Sequence, residues 1–225
     1  GFNRTSSPVQ TTSGGTNWKN SSGSVFFTLA IKTDGTMWGW GYNASGQLGD
    51  LTLTSRSSPV QITTLSDWTH VTCGNGFSVG VKTDSSLWAW GAGTQGQLGL
   101  SLPANRPARV MPYEYKWRAF FMGGSHTMAI RTDGTLWGWG QNTNGQLGIN
   151  DTTGRCTPVT TFAGGTDWKQ VSCGYFHTAA IKTDGTLWSW GQNANGQLGL
   201  GDTTVRSSPN QVGVLTTWSA ITGGN

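Results

Sequence analysis

Charge is scarce in this 225-residue chain: Asp, Glu, Lys and Arg make up 11% of it, and Glu114 is the only glutamate. Nearly all the aspartates stand in turn phrases or just after a recurring Gly-Gln-Leu-Gly, so no pair of carboxylates is set aside for acid–base chemistry. Histidine is equally thin, with His70, His126 and His177 each about one repeat or more from the next. Cys73, Cys156 and Cys173 are odd in number and lack metal-ligand spacing, and they read as small packing residues. Phosphate-binding and calcium loops are absent. These gaps argue against an enzyme, a cofactor or a bound metal. No apolar run approaches the ~20 residues of a membrane span, so membrane insertion is not expected. Fourteen Lys and Arg against ten Asp and Glu leave +4, without the dense basic clusters of a nucleic-acid surface. The opening "GFNRTSSPVQ" is not a signal-like segment and does not begin with Met, so Gly1 reads as a cut or processed end.

What the chain has in quantity is repetition. Gly-Gln-Leu-Gly begins at Gly46, Gly96, Gly145 and Gly196, at intervals of 50, 49 and 51 residues. Trp18, Trp68, Trp117, Trp168 and Trp218 keep the same step, and the other tryptophans form the pairs Trp38/Trp40, Trp88/Trp90, Trp137/Trp139 and Trp188/Trp190. All 13 tryptophans therefore occupy three positions of one unit. Four units of about 50 residues and part of a fifth span residues 1–225 as one repeat domain, and a period of this size indicates a solenoid or a propeller.

One unit reads as four short strands. "WKQVSC" alternates, "HTAAIKT" is apolar on both sides, Asp184-Gly185 turns the chain, "TLWSWG" returns, and "SSPNQV" carries Pro209 where an edge strand can spare an N–H. A second strand apolar on both sides must be covered front and back, so such sheets have to stack. Tryptophan alternating with Gly, Ala or Ser gives the third strand one ringed face and one bare face. The eight paired tryptophans, Trp38, Trp40, Trp88, Trp90, Trp137, Trp139, Trp188 and Trp190, are expected between sheets rather than around a ligand. The first-to-second turns and the amide-rich loops fall at one end of each sheet and the Asp-Gly turns at the other. Lys32, Lys82, Arg131 and Lys182 then ring the second end, close in sequence to Asp34, Asp84, Asp133 and Asp184.

"VSCGYFHTAAI" together with "WSWGQNANGQLGLGD" resembles the regulator-of-chromosome-condensation repeat family along essentially the whole chain, and "KTDGTLWxWG" resembles its bacterial and phage versions. The resemblance implies an all-β propeller of four-stranded antiparallel blades, typically seven around a channel. Four units and a partial fifth would then belong to a longer chain or ring, closed by further repeats or further copies. The family's histidine before the second strand stands at His126 and His177, but Phe27 and Phe77 replace it in the first two units, which favours packing over catalysis. Members include an exchange factor for a small GTPase, a histone-binding surface, a plant UV-B photoreceptor and a bacterial β-lactamase inhibitor. The photoreceptor's Gly-Trp-Arg-His-Thr is missing here, and no functional residue transfers from any of them.

Candidate binding residues lie where the repeat breaks down. Leu102–Phe121 gathers Arg106, Arg109, Tyr113, Glu114, Tyr115, Lys116 and Arg118, and Tyr with Arg is typical of binding hot spots. Tyr175 and Phe176 form a second candidate on the first-to-second turn of the fourth unit. The expected function is a non-catalytic propeller scaffold whose loops contact protein or glycan on a secreted, cell-surface or virion component. The alternatives are a structural unit of a fibre or capsid, and a nucleotide-exchange or chromatin-binding regulator.

Overall fold

A computed structural model describes residues 15–100, 104–109 and 116–224, with 104–109 as backbone alone. Within them are sixteen strands and no helix. The first sheet comprises β1 (Trp18–Gly23), β2 (Phe27–Lys32), β3 (Met37–Gly41) and β4 (Arg56–Gln61); the second comprises β5 (Trp68–Cys73), β6 (Phe77–Lys82), β7 (Leu87–Gly91) and β8 (Ala104–Arg109). The third is β9 (Trp117–Met122), β10 (His126–Arg131), β11 (Leu136–Gly140) and β12 (Arg155–Thr160), and the fourth is β13 (Trp168–Cys173), β14 (His177–Lys182), β15 (Leu187–Gly191) and β16 (Arg206–Gln211). Each sheet runs in chain order with antiparallel neighbours and is one blade of a β-propeller.

The first strands of successive blades lie side by side and are tied by short polar groups. Val71 N–H donates to Asn20 Oδ1 (3.1 Å) and Cys73 N–H donates to Ser22 Oγ (3.0 Å), and beyond the fourth blade Gln170 Nε2 of β13 donates to Ile221 O (3.0 Å) in the segment that follows β16. These strands are therefore innermost. The proline-bearing β4, β8, β12 and β16 are outermost, where a missing N–H breaks no ladder. Second strands are buried on both faces, with Leu29, Ala30 and Ile31 all sealed from solvent. Their cover comes from the neighbouring blade: Trp68, Val71 and Trp90 pack on Phe27, Leu29, Ile31, Met37 and Leu48 to form one core between the first two blades.

The Asp-Gly turn is longer than a two-residue hairpin. Strands β2 and β3 are joined by Thr33–Thr36, in which Asp34 Oδ1 accepts from Thr36 N–H (2.9 Å) and Thr36 Oγ1 (2.7 Å). Only the glycine is left-handed, Gly35 at φ +82°, and the carbonyl of Ser66 from the following connection lies against the place a Cβ would occupy. Glycine is needed there for space as well as for φ.

In the first, third and fourth units one buried side chain organises the loop after Gly-Gln-Leu-Gly. Asn142 Oδ1 accepts from Leu147 N–H (2.8 Å) while its amide donates to Asp151 O (2.9 Å) and Thr153 O (3.2 Å). Asn43 and Asn193 do the same in the first and fourth blades. Each loop closes with an ion pair: Arg56–Asp50 at 2.7 Å, Arg155–Asp151 at 2.6 Å and Arg206–Asp202 at 2.6 Å. The second unit has Gly93 where the others have Asn, and Leu102 where the third and fourth have Asp151 and Asp202, so its sequence lacks this set of residues.

Leu51 sits in that loop at φ 63° with 73% of its surface exposed, at the place taken by Asn150 and Gly201 in the third and fourth blades. A left-handed leucine costs roughly 1–2 kcal/mol. Leu51→Gly is therefore expected to raise the stability by about 1 kcal/mol, less the added chain entropy of glycine, in urea unfolding. A loss of stability would show that Leu51 makes contacts worth more than its strain.

Candidate functional site

The turn between first and second strands has one construction in all four blades. Ser24, Gly74, Gly123 and Gly174 donate their N–H groups to Phe27, Phe77, His126 and His177 O. The loop after the third strand then bonds to the same turn, through Tyr42 N–H to Phe26 O, Ala92 to Gly76, Gln141 to Ser125 and Gln192 to Phe176. Turns and amide loops thus share one end of the blades, and the side chains at turn positions two and three are what that end presents.

These turns converge on a cavity of about 180 Å³ to which all five units contribute, among them Gly23, Asn75, Gly124, Tyr175 and Gly223. Tyr175 reaches across it: Asn75 Nδ2, two blades away, donates to Tyr175 Oη (2.8 Å), and Gly124 N–H donates to Tyr175 O (3.1 Å). Its ring meets Phe176 edge to face at 4.5 Å. On the first blade Val25 (62%), Phe26 (66%) and Tyr42 (50%) are exposed, with the Phe26 and Tyr42 rings 6.3 Å apart. Tyr42 went unread in the sequence, although it stands where the third and fourth units have Gln141 and Gln192.

The described part of the divergent stretch is divided between two blades. Arg106 and Arg109 lie on outermost β8, with side chains outside the described residues, as are Tyr113, Glu114 and Tyr115 altogether. Lys116 is exposed just before β9. Arg118 is on innermost β9, and its guanidinium donates to Trp168 O (2.6 Å) of the next blade. Among the described residues of this stretch, β8 is the outermost strand of the second blade and β9 the innermost of the third.

The structure separates the two tryptophans of each pair. The second crosses the joint between blades. Trp90, Trp139 and Trp190 are fully buried and donate Nε1–H to Gln47, Gln97 and Gln146 O of the preceding blade, each at 2.9 Å. A hydroxyl directly across the sheet shares each acceptor: Ser78 (2.7 Å), Thr127 (3.0 Å) and Thr178 (2.8 Å). The first tryptophan stays nearer the surface. Trp38, Trp88, Trp137 and Trp188 donate to Thr36, Ser86, Thr135 and Thr186 hydroxyls and lie against the inner-strand tryptophan of their own blade. Cations cover them: Lys32 Nζ is 4.0 Å from the Trp38 ring centre and Lys82 Nζ 4.6 Å from that of Trp88. Lys82 and Lys182 also pair with Asp67 (3.1 Å) and Asp167 (3.3 Å), the residues before the inner tryptophans, while Arg131 pairs with Asp133 (3.2 Å). Lys82 and Lys182 thus each meet the aspartate before an inner tryptophan, and the Asp184 carboxyl of the turn is held below the usual carboxylate range first by its bonds from Thr186 and then by the nearby Lys182.

Four of the thiol and imidazole groups are muted by burial. Burial pushes the Cys73 and Cys173 thiols up to about 12 and holds His177 below the usual imidazole range. Burial and the nearby His177 lower His126 to about 3. Among the described residues no three His, Cys, Asp or Glu side chains gather as metal ligands. What this end offers is aromatic surface and main-chain polar groups, which suit binding.

Known proteins carry the same architecture. Human WBSCR16 superposes with a TM-score of 0.80 at 22% identity over 92% of this chain and 56% of its own. Prp20p from Saccharomyces cerevisiae, characterised for its binding to Gsp1p and histones, gives 0.76 at 21% over 88% and 50%. In sequence, a 44-residue stretch is 48% identical to the Ultraviolet-B receptor UVR8 of Arabidopsis thaliana, covering 20% of this chain and 10% of the receptor. The human probable E3 ubiquitin-protein ligase HERC6 matches over 44 residues at 48%, or 4% of its length. The chain spans about half of the solved relatives and a tenth or less of these curated ones. The model of the RCC1-like domain matches residues 3–225, and the chain accordingly belongs to the RCC1-like domain family.

Proposed function

We propose that this chain is a non-catalytic interaction scaffold that holds a protein partner at the turn end of its blades. The aromatic side chains of the first and fourth blades, Phe26, Tyr42 and Tyr175, serve as anchors. The observation that carries the reading is the exposed Phe26–Tyr42 pair, since two large rings on rigidly bonded turns offer contact area at low entropic cost. The divergent stretch around Lys116 is a second contact candidate. Prp20p's binding of Gsp1p and histones supports a protein ligand over a glycan for a family surface of this kind.

The test is a displayed peptide library selected on the immobilised chain and then presented to the Phe26→Ala/Tyr42→Ala/Tyr175→Ala variant. Selected peptides are expected to bind that variant at least tenfold more weakly, about 1.4 kcal/mol, with near-UV circular dichroism showing that it remains folded. Equal affinity for both proteins would place the binding surface elsewhere.

A further inference from the structure

Two of the connections that lead into inner strands differ in length by one residue. Ile62–Asp67 joins β4 to β5 in six residues, and Thr161–Asp167 joins β12 to β13 in seven. The longer connection folds back over its joint: Phe162 N–H donates to Gly148 O (2.8 Å), and Gly164 O accepts from Trp168 Nε1–H (2.8 Å). Trp68 sits as Trp168 does, its ring centre 6.3 Å from Trp88 and 5.8 Å from Trp90, against 6.2 Å from Trp188 and 6.0 Å from Trp190. Its Nε1–H, however, is buried without a partner. Burying a donor unpaired is costly, so the short connection leaves a hydrogen bond to be made. Equal ring placement turns that N–H toward Thr63–Leu65, the stretch that stands where Gly164 O caps the other indole.

At the same place the surface opens into a cavity of about 440 Å³, a size that suits a small organic molecule. It lies between the first two blades at their Asp-Gly end, away from the aromatic turns. Leu51, Ile62, Leu65 and the Trp68 and Trp88 rings make its walls apolar. Lys82 also lines it and is only 8% exposed, but its charge is already balanced. Asp67 Oδ2 is 3.1 Å from Nζ, and the Trp68 and Trp88 ring centres are 5.0 and 4.6 Å away. A carboxylate placed here would set a second negative charge near Asp67 at an apolar wall, so the cavity favours an uncharged occupant.

We propose that this cavity binds a small uncharged molecule consisting of an apolar ring and one carbonyl group. The ring packs against Leu51, Leu65 and Trp88, and the carbonyl oxygen accepts from Trp68 Nε1–H, taking the part that Gly164 O plays for Trp168. Leu65, half-exposed on the lining, moves aside to admit the oxygen.

The test is a titration of the 225-residue chain followed through its indole N–H signals by nitrogen-15 NMR, with the Trp68 signal assigned by its loss in Trp68→Phe. Acetophenone, which has the ring and the carbonyl, is expected to shift that signal saturably with a Kd of about 1 mM. Toluene keeps the ring and lacks the acceptor, and should bind at least about fivefold more weakly, the worth of one hydrogen bond. Benzoate, with a charged acceptor on the same ring, should also bind more weakly than acetophenone. Exchanging Thr63–Ser66 for the Phe-Ala-Gly-Gly-Thr of Phe162–Thr166 supplies an internal carbonyl and should abolish the response. Leu65→Asp, at a half-exposed position that folding tolerates more readily, should weaken acetophenone at least about threefold. A Trp68 signal that shows no saturable shift up to about 10 mM would overturn the proposal and leave water as the occupant. So would toluene or benzoate binding as tightly as acetophenone, or an affinity that Leu65→Asp leaves unchanged.

Discussion

Trp139→Ala is expected to cost about 4 kcal/mol, a large part of the roughly 5–15 kcal/mol by which folded domains are stable. The indole is fully buried in a core built by two blades, with Phe77, Val79, Leu87 and Leu98 from one side and Trp117 and Ala129 from its own. Truncation opens a cavity at a seam that backbone bonds hold on both sides, so collapse can recover little of it. Trp139→Phe separates the parts: most of the apolar volume stays, the Nε1–H bond to Gln97 O (2.9 Å) goes, and Thr127 Oγ1 still serves that carbonyl at 3.0 Å. Its cost should fall to about 1–2 kcal/mol. Trp137→Ala, at a half-buried position, should cost clearly less than Trp139→Ala. Urea unfolding of the three variants decides the matter, and a Trp139→Ala loss under about 2 kcal/mol would deny the joint its place as a main source of stability.

Acid is expected to destabilise the protein well before its carboxylates titrate. Thr178 Oγ1 donates its one hydrogen to Gln146 O (2.8 Å), so His126 Nε2, 3.1 Å away, has to be the donor in that contact. Nδ1 is then the bare nitrogen, buried without a partner, and a proton added there would find no acceptor. The folded-state value of about 3 lies below the ~6.5 of an unfolded histidine. Stability from the neutral ring is complete above about pH 7 and is lost as pH falls, because only the unfolded chain takes up the proton. The loss is about 1.4 kcal/mol per pH unit, or about 2 kcal/mol at pH 5. His177 is lowered in the same direction and adds to the slope. Asp50, Asp151 and Asp202 are also lowered and act only below the usual carboxylate range. His126→Phe, the residue already used at positions 27 and 77, should flatten the pH 5–7 part of the profile while Thr178 keeps its bond to Gln146. An unchanged slope would mean that His126 is protonated in the folded protein.

The blades could be read from the sequence because each rests on side-chain identity repeated at a fixed step: indoles, a doubly apolar second strand, and proline on the outer strand. The joint was less legible. Its acceptor is a main-chain carbonyl, which carries no residue signature, so nothing in "GQLG" announces that Gln47 O will hold Trp90 and Ser78. The loop asparagines, Asn43, Asn142 and Asn193, looked like one more polar residue in an amide-rich run, and only their burial shows what they organise. The turn aspartates were legible as turn formers. The pairing of Lys82 with Asp67 was not, because it joins residues that become neighbours only when the inner strand lies beside the second. At the candidate site, Tyr175 could be picked out by its type on a turn, while its reach to Asn75 depends on blades two units apart meeting at the centre.

Because that acceptor belongs to the backbone, it survives almost any exchange of the side chain above it. Each unit also contains both the giving and the receiving half. Tandem duplication of one such module would therefore deliver a working seam with its neighbour in a single genetic event, without compensating change on either side. Lineages built this way can lengthen or shorten by whole modules while the chemistry that welds them stays constant.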